Sequence, residues 1–326
     1  MASVPVHTSK RQVVTMGKHS KAIRIHAYGG AEVLQLETVE TPELQANEVL
    51  VRVIAAGVNP VDWKITEGYL KDFMPIQLPY IPGRDIAGIV EEVGSQVTAF
   101  QKGDAVFGQS DKGGYAEYTV ASVAKLAHKP EMLSFDEAAA IPVGATTAWQ
   151  GLFDYGNLQP GQTVLIQGAA GGVGMLAVQF AHTKGAHVIG TTSTANVDYV
   201  RALGAETVIN YSTTSVEQAV HDVDLVFDCV GQATLATSAK VVKVGGTLVT
   251  IAGQPDEKLV QERNIHVASF SAQVSSTLLE TFAQLIQAGQ LKVEVQSAYA
   301  LSDAGKAHEQ SKSGHGRGRI VLHIAD

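Results

Sequence analysis

The sequence predicts an α/β protein with two domains: a doubly wound parallel sheet of the Rossmann type and a mostly β, partly closed barrel. Three observations predict this fold class. A glycine-rich turn separates a strand-like run from a helix-like run between residues 164 and 179. Short strand-like runs occupy residues 21–142, and strands alternate with helix-length segments beyond Pro142. With 326 residues, 45% of them hydrophobic, the chain is long enough for two cores.

The glycine-rich turn follows the apolar run 164–167 and leads into a second apolar run that starts at Met175. It carries the dinucleotide fingerprint as Ala169-x-Gly171-x-x-Gly174, with alanine in place of the first glycine. Glycine is needed because a pyrophosphate reaches the free N–H groups of a helix's first turn only where no side chain intervenes. Alone, such a turn is equally consistent with a structural bend. We expect the dinucleotide to contact Gly168, Ala170, Gly171, Gly172, Val173 and Gly174.

The residues before Pro142 are typical of a β domain. Strands are predicted at 22–25, 48–54, 86–93 and 104–107, separated by glycine and proline signals. Val49, Val51 and Val53 alternate with Glu48, Leu50 and Arg52, a pattern typical of strands with one packed face.

Beyond Pro142 the pattern indicates repeated βα units and therefore a parallel sheet with right-handed crossovers. Strands are predicted at 163–168, 187–192, 206–209, 223–228, 246–251 and 265–269. Helices are predicted at 172–184, 196–203, 214–220, 231–240 and 274–288. Strand-like runs at 292–295 and 319–324 indicate that the chain then returns to the first domain. The predicted division is a tail at 1–20, a β domain at 21–142 plus 289–326, and a nucleotide domain at 143–288.

Composition excludes several classes of function. The net charge of −8 and the lack of a basic stripe argue against a nucleic-acid surface. The single cysteine, Cys229, excludes an intrachain disulfide and a cysteine-built zinc site, and it fits a reducing, cytoplasmic location. No apolar run reaches the roughly 18 residues of a membrane span. Basic residues without acids in the first 31 positions also fit a transit peptide, but we interpret residues 1–20 as a disordered tail.

The second predicted strand of the nucleotide domain indicates which dinucleotide is bound. An NAD site places an acidic residue about 20 positions after the first glycine, where it holds the ribose hydroxyls. Here the strand ends at Thr191-Thr192-Ser193-Thr194, without an acid. Thr192 and Ser193 can donate hydrogen bonds to a 2′-phosphate, which a carboxylate would repel. The sequence therefore predicts NADP(H). Alternatively, Ser193 or Thr194 caps the next helix, and both roles can coexist.

Several motifs together resemble the zinc-independent quinone oxidoreductase branch of the medium-chain dehydrogenase/reductase superfamily. They are AAGVNPVDWK at 55–64, PGRDIAG at 82–88, GGYAEY at 113–118, GAAGGVG at 168–174 and GRGRIVL at 316–322. The resemblance extends over nearly all of residues 21–324. It implies a GroES-like catalytic domain beside the Rossmann domain. It also implies a homodimer that pairs the sixth strands of two nucleotide domains, here about 265–269, a short apolar edge that needs cover.

The resemblance also bears on metal and cofactor. Zinc-dependent relatives have a cysteine ligand where this chain has Asn59 and a His-Glu pair where it has Arg84-Asp85, so no zinc is expected. Related reductases hold the 2′-phosphate with a lysine and a tyrosine; Tyr211 matches the tyrosine, whereas Asn196 replaces the lysine. Other positions expected at the cofactor are Asn59, Thr147, Val230, Ala252, Gly253, Phe270 and Ser271.

The expected chemistry needs few protein groups, because the cofactor carries the hydride. Asn59 is a candidate donor to the carbonyl oxygen that becomes charged, and Lys64 a candidate to stabilise an enolate or a cofactor hydroxyl. Alternatively, Asn59-Pro60 is only a turn and Lys64 a solvated surface charge. Asp62 and Asp85 are equally consistent with holding loops. The remaining candidates have structural interpretations: surface positions for His308 and His315, a core position for Cys229, and lid or packing roles for Tyr69 and Tyr80.

The predicted function is NADPH-dependent reduction of quinones or α,β-unsaturated carbonyl compounds without zinc. Two alternatives remain: an enoyl or alkenal reductase of longer substrates, and a low-turnover NADPH-binding protein that acts as a sensor. The sequence shows no proton donor and no cation in place of the missing lysine.

Overall fold

The computed structural model describes residues 19–314 and 316–326. Its first part forms β1 (His19–Arg24), β2 (Gln35–Glu40), β3 (Glu48–Val58), α1 (Pro60–Thr66), β4 (Asp85–Val93), β5 (Ala105–Gln109), β6 (Tyr118–Ser122) and β7 (Leu126–His128). The predicted tail lies outside the described residues, except for His19 and Ser20, which belong to β1.

The middle part contains the alternating elements. They are α2 (Phe135–Ala139), α3 (Pro142–Trp149), β8 (Thr163–Gln167), α4 (Gly174–Thr183), β9 (His187–Thr192), α5 (Val197–Ala202), β10 (Thr207–Asn210), α6 (Val216–Ala219), β11 (Val223–Asp228), α7 (Leu235–Val241), β12 (Val242–Thr250), α8 (Glu257–Arg263) and β13 (His266–Ser269). The last part forms α9 (Ser276–Gln287), β14 (Val295–Ala300), α10 (Ala304–Ser313) and β15 (Arg319–His323).

The nucleotide sheet is a six-stranded parallel sheet in the order β10-β9-β8-β11-β12-β13. In chain order this is 3-2-1-4-5-6, the doubly wound arrangement, and the predicted fold class is confirmed. The strand order reverses between β8 and β11, where open α/β sheets bind their ligands. The glycine-rich turn follows β8 and therefore lies at this crevice.

Helices α1, α2, α3 and α10 were not predicted, and two further helices also differ from the sequence prediction. α7 begins at Leu235 instead of 231, because the N–H groups of Val230 and Gly231 donate to the Asp228 carboxylate and form a separate turn. α8 was not predicted; the side chain of Asp256 caps it by accepting from the N–H of Lys258 at 2.8 Å.

The second large sheet has seven strands, in the order β14-β15-β3-β4-β5-β7, with β6 also paired to β3. β3 continues past its predicted end at 54 because residues 55–58 pair with the returning strand β15. The predicted strand at 292–295 begins only at Val295. Lys292 is instead bound through its backbone to the side chain of Gln179 on α4, with hydrogen bonds of 2.8 and 3.0 Å.

Small residues bring the two sheets together around α2 and α3. One buried cluster runs from Ala55 and Phe107 in the second sheet through the alanines of these helices to Met175 on α4. A Cβ at Gly57 would lie 2.4 Å from the carbonyl oxygen of Ala139, so this approach requires glycine. Among the described residues, no helix is long and apolar enough to cross a membrane.

A buried ion pair fastens the returning strand to this core. Arg319 on β15 and Asp85 on β4 are 4% and 0% exposed, with Nη2 and Oδ2 3.4 Å apart. Nη2 also donates to Oδ1 of Asn59 at 2.6 Å. A Cβ added at Gly144 would lie 3.2 Å from Cζ of Arg319, and a Cβ added at Gly172 would lie 2.9 Å from its Cδ. The guanidinium therefore lies between α3 and the glycine-rich turn.

We expect Arg319→Met to lower the free energy of unfolding by about 3–5 kcal/mol, because it leaves Asp85 buried without its cation. Arg317→Met is the matched control. Arg317 forms an ion pair with Glu294, with Nε and Oε1 2.7 Å apart, but both side chains are partly exposed to solvent. This pair should contribute less than about 1 kcal/mol to the free energy of unfolding. Urea unfolding at pH 7.5 measures both losses. Equal losses would contradict the special role of the buried pair.

Candidate active site

The glycine-rich turn is shaped by close backbone contacts. Gly168 has a φ of +73°, and a Cβ at Gly174 would lie 2.1 Å from the carbonyl oxygen of Gly168. Ala169, which replaces the first fingerprint glycine, is fully buried and fills the space beside Gly190. A Cβ added at Gly190 would lie 2.9 Å from the Cβ of Ala169. The alanine therefore packs against β9, whereas a Cβ at Gly171 would meet only the carbonyl oxygen of Gly168, at 3.3 Å.

A buried polar network supports this turn from below. Thr191 donates to Gln167 at 2.7 Å and accepts from the N–H of Gly168 at 3.2 Å. Gln167 donates to Ser238 at 3.3 Å, and Ser238 donates to Asp228 at 2.6 Å. The network joins the carboxyl ends of β8, β9 and β11. None of the sequence motifs indicated this network, although each of these apolar strands ends near a polar residue.

The residues predicted at the 2′-phosphate lie together at the ends of β9 and β10. The N–H of Tyr211 donates to the carbonyl of Thr192 at 3.1 Å, and the Asn196 amide donates to the Ser193 hydroxyl at 3.4 Å. Ser193 makes no capping hydrogen bond, and Thr194 accepts instead from Asn210 at 2.9 Å. The capping alternative is therefore not observed. The Tyr211 side chain is exposed.

Three of the other predicted cofactor positions lie around the same crevice. Val230 contacts the turn, since a Cβ at Gly168 would lie 2.9 Å from its Cγ2. Ala252 and Gly253 follow β12, and a Cβ at Gly231 would lie 2.3 Å from the carbonyl of Ala252. These contacts bring the ends of β8, β11 and β12 together.

The remaining positions lie on neighbouring elements. Thr147 is on α3, where its hydroxyl donates to the carbonyl of Val143 at 2.7 Å. Phe270 and the exposed Ser271 follow β13, and the Phe270 ring stacks on Tyr155 with centroids 4.4 Å apart. Tyr155 belongs to a π-helical segment (Gln150–Tyr155) that continues α3.

Asn59 occupies the start of α1, with Pro60 as its first residue. Its N–H donates to the Asp62 carboxylate at 2.8 Å, its side-chain amide donates to Asp85 at 3.0 Å, and its side-chain oxygen accepts from Arg319. The residue is 3% exposed. Asn59 is therefore both the turn residue and the centre of a buried polar site.

Asp85 and Asp62 hold this site together. Asp85 also accepts from the N–H of Val143 at 3.1 Å, so it binds the first turn of α3. Burial raises the pKa of Asp85 to about 6, against the opposing effect of Arg319. Burial raises the pKa of Asp62 to about 7, against the hydrogen bond from the N–H of Asn59.

Lys64 lies apart from this network. It is half-buried on α1, and its amino group lies 5.6 Å from the ring centroid of Trp63. Tyr69 is exposed and packs edge-on against the same ring, with centroids 5.9 Å apart. Tyr80 and Arg84 line a neighbouring cavity of about 780 Å³.

The prediction of a surface position for His308 is wrong. His308 is 3% exposed, and its Nε2 lies 3.3 Å from the hydroxyl of the buried Tyr115. Burial lowers its pKa to about 4. The signal was present in the sequence, because Ala304, Ala307 and His308 have helical spacing and form the inner face of α10. His315 lies outside the described residues.

Cys229 is half-buried and packs against the main core. Burial and the neighbouring Asp228 raise the pKa of its thiol well above the ordinary value. It therefore lacks the lowered pKa of a reactive thiol, as predicted for a core residue. Within the described residues, no group of three His, Cys, Asp or Glu side chains is arranged to hold a metal ion.

Two family models match the chain. Residues 45–131 match the alcohol dehydrogenase GroES-like domain, and residues 203–322 match the zinc-binding dehydrogenase family. The quinone oxidoreductase of Mus musculus is 35% identical, over 95% of this chain and 99% of that protein. The chloroplastic NADPH-dependent alkenal/one oxidoreductase of Arabidopsis thaliana is 34% identical, over 94% of this chain and 80% of that protein.

Solved structures agree with these relatives. The quinone oxidoreductase of Escherichia coli, determined in complex with NADPH, is 30% identical with a TM-score of 0.85, over 93% of this chain and 99% of that one. The resemblance inferred from the sequence motifs is confirmed over nearly the whole chain. With a GroES-like domain, a doubly wound sheet and relatives of this identity, the protein is an oxidoreductase of the quinone oxidoreductase branch of the medium-chain dehydrogenase/reductase superfamily.

Proposed function

We propose that the protein is an NADPH-dependent reductase of quinones or α,β-unsaturated carbonyl compounds that works without zinc. One observation carries the proposal: Arg319 contacts both the glycine-rich turn at Gly172 and the polar site at Asn59 and Asp85. A dinucleotide seated on the turn thus lies beside a buried hydrogen-bonding site. The names of the mouse and Arabidopsis relatives support the two acceptor classes.

The residues at the crevice fit a dinucleotide phosphate. Within the part of the chain that the structure describes, the N–H groups of Ala170, Gly172 and Val173 have no acceptor and suit a pyrophosphate. The hydroxyls of Ser193 and Tyr211 suit a 2′-phosphate. Neither β9 nor β10 ends in a carboxylate that would repel that phosphate. When bound, the reduced nicotinamide supplies the hydride.

The donors at the zinc position do not fit a zinc ion. The Asn59 oxygen is bound to the Arg319 guanidinium at 2.6 Å, and Asp85 is engaged by Asn59, Val143 and Arg319. The Arg319 guanidinium thus already supplies the positive charge that a metal ion would bring to these oxygen atoms. Of the two hydrogens on the Asn59 amide nitrogen, one is donated to Asp85. No residue within 19–314 or 316–326 accepts the other, which can therefore be donated to the acceptor's carbonyl oxygen.

We also propose that the chain forms two domains, a β domain of residues 21–142 plus 289–326 and a nucleotide domain of residues 143–288. The strands of the two large sheets fall in these separate ranges.

β13 is the edge of the nucleotide sheet, paired only with β12 among the described strands. An unpaired apolar edge favours a partner strand, and we propose a homodimer through β13.

We expect steady-state oxidation of NADPH in the presence of at least one acceptor of a panel: a benzoquinone, a naphthoquinone, an alkenal and an alkenone. The nicotinamide absorbance measures turnover, and the preferred acceptor shows which class fits the cleft. Tight NADPH binding without turnover on all four would favour the sensing alternative.

We expect Asn196→Lys to raise the preference for NADPH over NADH by about 5- to 30-fold, because one charge-assisted contact to a phosphate contributes about 1–2 kcal/mol. Calorimetric titration with each cofactor measures the two dissociation constants. Asn196→Gln, which adds length without charge, should change the ratio little. If the unaltered protein bound NADH more tightly than NADPH, the assignment of Ser193 and Tyr211 would be wrong.

A further inference from the structure

Reduction of a quinone or an enone by hydride consumes one proton for each hydride. The hydride leaves a negative charge on the acceptor, and a proton must neutralise it. The buried site at Asn59 therefore needs a source of protons. This inference rests on the proposed function.

A continuous chain of buried groups leads from this site to helix α10. The hydroxyl of Tyr115 donates to Oδ2 of Asp62 at 3.1 Å and lies 3.3 Å from Nε2 of His308. Asp62, Tyr115 and His308 are 2%, 0% and 3% exposed. The rings of Tyr115 and His308 meet edge to face, with centroids 5.7 Å apart. Three groups that can carry a proton are thus in contact.

The two oxygens of Asp62 differ. Oδ2 accepts from the N–H of Asn59 and from Tyr115, whereas no residue in the described ranges donates to Oδ1. Oδ1 is the end of the chain that remains for the acceptor. Asp62 is the third residue of α1, and its carboxylate accepts from the N–H of Asn59, which precedes the helix.

Burial favours a protonated Asp62 carboxyl, and the neighbouring charge of Asp85 adds to this effect. The titratable groups that face it are Asp85, Tyr115, Tyr80, Arg84 and Arg319. Arg319 contacts Asp85 and not Asp62, so of the two buried carboxyls only Asp85 has a guanidinium within ion-pair distance among the described residues. Neutral Asp62 avoids the cost of a second buried charge.

We propose that Asp62, Tyr115 and His308 form a proton chain in which Asp62 protonates the reduced acceptor, while Tyr115 and His308 are positioning residues that restore its proton. The O–H bond of Asp62 breaks as a new O–H or C–H bond forms on the acceptor. The Tyr115 hydroxyl gives its proton to Oδ2 of Asp62 as Oδ1 loses its own, and rotation of the carboxyl returns the proton to Oδ1. Tyr115 takes a proton from Nε2 of His308, which gains a solvent proton at Nδ1, and a flip of the imidazole ring restores the Nε2–H. In sum, the acceptor, NADPH and one solvent proton give the reduced acceptor and NADP⁺.

The test compares Tyr115→Phe with Tyr299→Phe. Tyr299 donates to Gln310 on the same helix α10 at 2.8 Å, outside the chain, and is the matched control. We expect Tyr115→Phe to lower kcat about tenfold or more, with the KM for NADPH unchanged and a larger solvent deuterium isotope effect. Tyr299→Phe should leave all three quantities unchanged.

The pH profile gives a readout that a structural role would not move. Asp62 must be protonated to act, so kcat should fall as the pH rises through its pKa of about 7. The Tyr115 hydrogen bond stabilises the ionised carboxylate, so Tyr115→Phe should move this alkaline limb to higher pH. Asp62→Asn should abolish the limb. His308→Gln should lower kcat as Tyr115→Phe does, with the melting temperature as a check on folding.

A second measurement needs no cofactor. Carbon-13 NMR of the labelled Asp62 carboxyl should show titration near neutral pH in the unaltered protein and at higher pH in Tyr115→Phe. Turnover with the same kcat and the same alkaline limb in Tyr115→Phe would overturn the proton chain and leave the proposed reaction standing, as would titration of Asp62 near pH 4. Absence of turnover with every acceptor would overturn both.

Discussion

The contact between Asp85 and Arg319 is the constraint on which the rest of the structure depends. It joins residues 234 positions apart and, through Asn59 and Val143, ties two strands and two helices to one point. Removing two charges from water is costly, and such a pair stabilises a protein only when other hydrogen bonds satisfy it. Here the amide of Asn59 and a helix N–H supply them. The pair therefore favours one arrangement of β15 against the core.

The two sides of the crevice are built differently. Beneath the glycine-rich turn, the network of Gln167, Thr191 and Ser238 ends on one carboxylate, Asp228, which is satisfied by hydroxyl and backbone donors. On the side of Asn59, the carboxyls of Asp62 and Asp85 share their surroundings with guanidinium groups. Hydrogen bonds from hydroxyl, amide and backbone donors fix the backbone shape beneath the turn, whereas buried carboxyls and guanidinium groups set each other's protonation states. Each side thus suits a different task.

Sequence patterns predicted the elements that depend on local order. The six parallel strands and the turn at 168–174 follow from apolar runs and glycine positions, which act over a few residues. The short, half-exposed strands β2 and β14 lack such a pattern over their length. Arg319 was visible only as part of a motif, because its partners come from distant segments. His308 was misplaced although its helical spacing with Ala304 and Ala307 marks an inner face, because most other residues of this helix are polar and Tyr115, which covers it, lies 193 positions away in the sequence.

The late position of Arg319 has a consequence for how the protein forms. The nucleotide sheet is complete once residue 269 is in place, and its parallel units can collapse on their own apolar surfaces. The polar site at Asn59 lacks its cation until β15 inserts between β3 and β14. A chain that ends before residue 319 therefore contains all six strands of the nucleotide sheet but lacks the cation of the polar site at Asn59 and the strand that joins β14 to β3. The polar site is thus the part of the molecule that is completed last along the chain.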